Sequence, residues 1–157
     1  MSCKLAKEAL ADNSDDDLET AGVDHCLVNG REDGITGKCL VLITPDAERS
    51  MNTYLGISET LSVAQLDHEA IADSEYLYIE GYLVTSPTGR AAAVKAREIA
   101  QAAGLKTARS FSDPGKVELF REVMDESGGE RLDVIFSSEA EALGGGQTVD
   151  LQHACGS

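Results

Sequence analysis

Apolar and polar positions change their period along this chain, and the changes separate an irregular amino-terminal part from a part that alternates strand and helix. Residues 4–21 run from Lys-Leu-Ala-Lys through an Asp-rich stretch to Leu18 and Ala21. This predicts one helix with a frayed connection, or a new helix capped within Asn13-Ser14-Asp15-Asp16-Asp17. Cys26-Leu-Val28, Lys38–Thr44 and Ser50–Leu55 read as short strands, separated by a polar, Gly-containing stretch at 29–37 and a Pro45-Asp46 turn. A small antiparallel subsheet is the expected product. Ser62 to Gln65 has capping-box spacing and predicts a short helix toward Asp67 or Ala70.

From residue 74 onward the pattern is regular. Tyr76–Ile79 predicts a strand ending at Glu80-Gly81. Ser86-Pro87 then supplies a cap and a first-turn proline, and Ala92, Ala96, Ile99 and Ala103 recur at helical spacing until Gly104 stops the helix. Leu105–Phe111 is the next strand, although Lys106 and Arg109 weaken a fully buried placement. Asp113-Pro114 repeats the start signal, with Val117, Phe120 and Met124 as a core stripe. Leu132–Phe136 predicts a third strand, and a helix begins across Glu139–Leu143. Such alternation predicts a parallel sheet covered by helices. Right-handed crossovers then bring Glu80-Gly81-Tyr82, Ser112-Asp113-Pro114 and Ser137-Ser138-Glu139 to one edge, where ligands usually collect.

Composition narrows the function classes. The chain has 157 residues, enough for one modest domain, with 13 basic against 28 acidic side chains and a formal charge of -15. That balance argues against a nonspecific hold on nucleic acid or an anionic membrane, both of which are negative. No apolar run approaches the roughly 18–20 residues a membrane span needs. Cys3, Cys26, Cys39 and Cys155 are far apart and form no CxxC pair. A reducing, cytoplasmic compartment is expected.

Candidate chemistry is sparse on the residues alone. Asp113 is a helix cap or a ligand acceptor, and Glu80, beside Gly81 at a strand end, is a ligand group or a surface acid. Glu139 and Glu141 lie near a strand-to-helix turn, where one carboxylate suffices to help hold magnesium. His25, His68 and His153 lack metal-ligand spacing, and Ser110, Ser112 and Ser138 lack a nucleophile-elbow setting. There is no phosphate loop, and Gly144-Gly-Gly146 reads as a flexible link.

One ordered series of segments adds to this reading. Cys39-Leu-Val-Leu-Ile-Thr-Pro-Asp-Ala-Glu-Arg-Ser-Met-Asn-Thr-Tyr-Leu-Gly56, Tyr76-Leu-Tyr-Ile-Glu-Gly-Tyr-Leu83, Ala102-Ala-Gly-Leu-Lys106, Phe111-Ser-Asp-Pro114 and Asp133-Val-Ile-Phe-Ser-Ser-Glu-Ala-Glu-Ala142 follow one another. Together they resemble the N-terminal to middle portion of a PfkB or ribokinase-family carbohydrate or nucleoside kinase, over about residues 4–143. The resemblance implies an α/β fold, a ribokinase-like parallel sheet covered by helices with a small β lid, apparently truncated. Residues 1–143 would form a partial kinase domain, with 26–55 as lid and return strands, and 144–157 a flexible tail.

The resemblance also assigns roles. Thr36, Asn52 and Tyr54 become substrate-side candidates, beside Glu80, whose strand-end position already makes it one. Ser138 and Glu141 stand where the family has Asn-x-x-Glu, so Glu141 is the metal candidate, beside a serine whose reach differs from that of an amide. ATP and Mg2+ are the family's cofactors, a sugar or nucleoside its acceptor, and a homo-oligomer through the lid a possible assembly. The family's Gly-rich substrate segment and its Gly-Ala-Gly-Asp catalytic segment are not found in residues 1–157, and Asp150 lacks that glycine setting. The expectation is a phosphotransferase fragment inactive alone, with no catalytic residue assigned. The alternative is a noncatalytic interaction or regulatory protein derived from the kinase fold.

Overall fold

The computed structural model describes residues 1–25, 27–112, 115, 117 and 132–156. They form two compact units, Met1–Gln65 and Leu66–Ser157.

In the first unit the helix starts later than predicted. Residues 4–7 are not helical: Ala6 makes a parallel bridge with Glu32, Lys7 N–H donates to Glu32 O (3.1 Å) and Glu32 N–H to Leu5 O (3.1 Å). Helix α1 spans Ala9–Thr20, so the Asp run lies inside it and does not cap a new helix. Four nearby carboxylates on Asp12, Asp15, Asp16 and Asp17 would repel one another. Arg31 offsets part of this by donating to Asp12 and, at 2.5 Å, to Asp15, which also meets the His25 ring. Arg31's hydrogen bond, followed by the bond from His25, holds the Asp15 carboxyl below its ordinary range against the effect of burial.

Strands β1 (Lys38–Ile43) and β2 (Arg49–Tyr54) form an antiparallel hairpin, in register from Lys38 opposite Tyr54 to Ile43 opposite Arg49. The predicted strand at 26–28 is corrected: Leu27 and Val28 lie in a turn closed by Gly30 N–H on Leu27 O (2.7 Å), and Cys26 lies outside the described residues. Gly56 follows the hairpin at φ +56°, and a Cβ there would sit 2.1 Å from Ile35 O, so the close approach of the two chain segments requires glycine. Ile57 N–H completes the junction on Ile35 O (2.9 Å).

The helix predicted from Ser62 is interrupted. The Gln65 side-chain oxygen accepts Ser62 N–H (2.9 Å), but Gln65 N–H goes to Ser62 O, which makes a 3₁₀ turn over Val63–Gln65. The α-helix, α2 (His68–Ala72), starts separately in the second unit, where Asp67 Oδ1 accepts Ala70 N–H (3.0 Å).

Strands β3 (Tyr76–Ile79), β4 (Lys106–Ser110) and β5 (Val134–Phe136) make a parallel sheet in the order β3-β4-β5. Helix α3 (Pro87–Ala103) is the crossover between β3 and β4. Ser86 caps it by accepting Gly89 N–H (3.0 Å), Pro87 sits in its first turn, and Gly104 ends it at φ +75°, as the sequence predicts. Ala92, Ala93, Ala96 and Ala100 are buried, and these small side chains let the helix lie close to β3 and β4. Ile79 is buried while Tyr76 and Tyr78 are exposed, so α3 covers the Leu77/Ile79 face.

Arg109 did not keep β4 out of the interior. It is 3% exposed, and its guanidinium lies 5.3 Å from the Phe111 ring centroid. The helix predicted after Asp113-Pro114, with Phe120 and Met124, lies outside the described residues; Val117 is buried with Val84 and packs against Phe111. Helix α4 runs Glu139–Gly146, so Gly144–Gly146 closes its last turns and is not the flexible link expected; Gln147 ends it at φ +50°. A short helix α5 follows at Leu151–Gly156. Among the described residues no helix is long and apolar enough to cross a membrane.

Candidate functional site

The parallel sheet directs the ends of β3, β4 and β5 toward one edge, and the side chains there meet. Glu80 leaves β3 with its carboxylate facing β4. Its Oε2 accepts the Tyr78 hydroxyl (3.0 Å), and its Oε1 accepts Ser110 Oγ (3.0 Å) and Ser112 Oγ. The two serine oxygens are 2.7 Å apart, and Gly81 N–H donates to Ser110 Oγ (3.1 Å). Each serine has one proton, so the pair either donates twice to Glu80 or relays one serine's proton through the other, in either order, to Glu80.

Local backbone makes this possible. Ser112 has φ +71°, a conformation unfavourable for a residue with a Cβ, and its hydroxyl is held by Glu80. A Cβ on Gly81 would lie 2.6 Å from Ser110 O and 2.7 Å from Phe111 O, so the end of β3 approaches the end of β4 more closely than any other residue allows. Burial pushes the Glu80 carboxyl up, but the hydroxyls of Ser112, Tyr78 and Ser110 outweigh it and hold the group below its ordinary range. Burial raises the Tyr78 hydroxyl, and the Glu80 carboxylate adds to the rise.

Glu141 sits at the start of α4, just past the end of β5, and is 9% exposed. Its Oε2 accepts Ser138 N–H (2.8 Å) while Ser138 Oγ accepts Glu141 N–H (3.4 Å), a reciprocal capping box. Among the described residues no three His, Cys, Asp or Glu side chains gather as a metal cluster. His68 and His153 are exposed, and His25 is taken up by Asp15.

The other candidates belong to the first unit. Thr36 is half-buried, and its N–H donates to Glu8 Oε1 (2.6 Å), a bond that keeps the Glu8 carboxyl low. Asn52 and Tyr54 are exposed at alternate positions of β2, on the hairpin face that also carries Leu40 and Lys38. Sequence reasoning placed the Glu80 and Ser112 loops at one edge but missed Tyr78 and Ser110 as partners of Glu80. The signal available was the Tyr-x-Glu alternation, which puts Tyr78 and Glu80 on the same side of β3.

The parallel sheet with helix α3 as a crossover and polar groups at its strand ends is an α/β arrangement, and the solved structures similar to this chain make it ribokinase-like. The model of the pfkB family carbohydrate kinases matches residues 1–144, and the chain belongs to that family. It is 32% identical to the adenosine kinase from Sinorhizobium meliloti, with a TM-score of 0.86 over 97% of this chain and 47% of that one. It is 29% identical to a probable sugar kinase protein from Rhizobium etli CFN 42, with a TM-score of 0.88 over 98% of this chain and 47% of that one. The Anopheles gambiae adenosine kinase, solved in complex with P1,P4-di(adenosine-5) tetraphosphate, shares the fold at 20% identity and a TM-score of 0.84, over 97% and 47% of the two chains. The chain therefore spans about half the length of the solved structures it matches. No curated protein matches it.

Proposed function

We propose that this chain supplies the substrate side of an ATP-dependent kinase acting on a hydroxymethyl group of a sugar or nucleoside, and that residues 1–157 do not turn over alone. The Glu80 cluster carries the reading. A carboxylate surrounded by three hydroxyls at the strand ends of a kinase-family sheet is suited to exchange one of them for a hydroxyl of a polyol ligand. Ser112, half-buried and more accessible than the buried Ser110, is the serine a ligand would replace.

In this reading residues 26–55 act as the lid, and Thr36, Asn52 and Tyr54 are its substrate-side groups. Asn52 and Tyr54 offer an amide and a hydroxyl from one exposed hairpin face, while Thr36 has its backbone fixed by Glu8. The same hairpin is the proposed contact of a homo-oligomer, and a cytoplasmic location is proposed. Glu141 fits magnesium as a single carboxylate: Oε2 is engaged by Ser138 N–H, leaving Oε1 for an ion otherwise held by waters and substrate phosphates. Such an ion would neutralise charge on the phosphate oxygens. Residues 1–157 contain no Gly-Ala-Gly-Asp segment, so neither a base nor an anion hole of that kind is available within them.

The test is the purified chain with MgATP and a panel of sugars and nucleosides, followed by ADP release and by amide NMR. No acceptor-dependent ADP is expected, whereas one panel member is expected to shift the amides at Glu80 and Ser112 and to bind at least tenfold more weakly to Glu80→Gln. Acceptor-dependent ADP formation overturns the inactive half of the proposal. Absence of binding by every panel member overturns the substrate half.

A further inference from the structure

Three of the described residues other than glycine have a positive φ: Ala47, Ser112 and Gln147. Gln147 ends helix α4, where a left-handed residue is common, and Ala47 lies in the turn between β1 and β2. Ser112 differs, because its side chain reaches the cluster at the strand ends. Its φ of +71° crowds Cβ against the following carbonyl, which an L-residue does not hold without compensation. The hydroxyl supplies it. Ser112 Oγ meets Glu80 Oε1 and lies 2.7 Å from Ser110 Oγ, and the hydrogen bonds of Ser112 to other described residues all run through that oxygen. Gly81 makes the room, since a Cβ there would sit 2.8 Å from Ser112 Oγ. Ser110 is held in another way: it is buried in β4, opposite Phe136 of β5, and its Oγ accepts Gly81 N–H (3.1 Å). Without Glu80, Ser110 keeps these supports and Ser112 loses the one that anchors its φ to the sheet.

We infer that Ser112 is a strained latch on Glu80: in the empty site its hydroxyl occupies the place of a ligand hydroxyl on Oε1, and a ligand that takes this oxygen releases Ser112 to a negative φ. The release step rests on the proposal that Glu80 binds substrate. Two effects oppose each other in it. The latch lowers affinity, because only the unlatched fraction of the chain is free to bind. Relief of backbone strain acts the other way and makes this serine easier to displace than an unstrained one. Ser110 remains to donate to Oε1 (3.0 Å), so the carboxylate does not lose both serine hydroxyls at once. The exchange also selects the chemistry of the incoming group. An ionised carboxylate only accepts hydrogen bonds, so what replaces Ser112 must donate one. A neutral hydroxyl does so, whereas a phosphate or carboxylate group is repelled by the like charge.

The latch is tested first without ligand. In Glu80→Ala the NMR scalar couplings and Cα shift of Ser112 should report a negative φ where the natural chain reports a positive one. Glu80→Met, close to glutamate in length and without an acceptor, gives the same reading if Glu80→Ala does not fold. The second test uses adenosine and D-ribose as probes, one nucleoside and one sugar. Ser112→Ala has no hydroxyl to latch, so it should bind the same probe at least threefold more tightly than the natural chain, and binding to the natural chain should move Ser112 to a negative φ. A positive φ that persists in the Glu80 variants overturns the inference, because the loop itself then holds it. Equal or weaker binding by Ser112→Ala overturns it too. A probe that binds without moving Ser112 overturns the release step and leaves the substrate reading of Glu80 standing. If neither probe binds either protein, the release step falls together with that reading.

Discussion

Glu80 shows how much a single side chain controls at the strand ends. Its hydrogen bonds reach residues 2, 30 and 32 positions away and hold Ser112 in a backbone conformation that serine rarely adopts. Because the folded protein keeps this carboxyl below its ordinary range, its contribution to stability is complete above the unfolded value near about pH 4.3 and is lost as pH falls through the lower folded value. Glu80→Gln should therefore be less stable than the natural chain at pH 7, with the difference shrinking below about pH 4. Urea titrations of both proteins across that range check it, and a difference that grows on acidification would contradict the assigned sign. The contact was only half legible in the sequence. Strand periodicity brings the Glu80 and Ser112 loops to one edge, but no rule of spacing reveals that Ser112 takes φ +71° and turns its hydroxyl onto Glu80.

Among the elements, the ones that announced themselves carry their own start and stop signals. Helix α3 was readable from Ser86-Pro87 to Gly104 because cap, proline and glycine each act on adjacent backbone. Ser86→Ala leaves Gly89 N–H without its acceptor inside a buried turn and should cost about 0.5–2 kcal/mol, measurable as a lowered Tm, with Ser86→Asp recovering part of it. The sequence leaves helix α1 open between one helix and two for the converse reason. Its Asp run looks like a cap in isolation, and it is Arg31, far along the chain, that makes those carboxylates tolerable within a helix. The 26–28 strand failed because three apolar residues specify no partner, and the Gly144–Gly146 link failed because the capping box of Ser138 and Glu141 secures α4 at its other end.

Across the whole molecule, charge and apolar exposure oppose each other. A formal charge of -15 on 157 residues disfavours the compact state by self-repulsion. Raising ionic strength from about 0.01 to 0.15 M shortens the screening length from about 30 to 8 Å. The Tm of the isolated chain should rise over that interval, and a fall would mean that pairs such as Lys4–Glu32 and Arg31–Asp15 outweigh the repulsion. The hairpin of β1 and β2 has a consequence of another kind. Leu40 and Leu42 face one way, Val41 and Ile43 the other, and all four are exposed, so the ribbon shows grease on both sides and backbone along its rims. Cellular quality control reads such a ribbon as an unfinished protein. Sheltering the hairpin should therefore slow the aggregation of this chain.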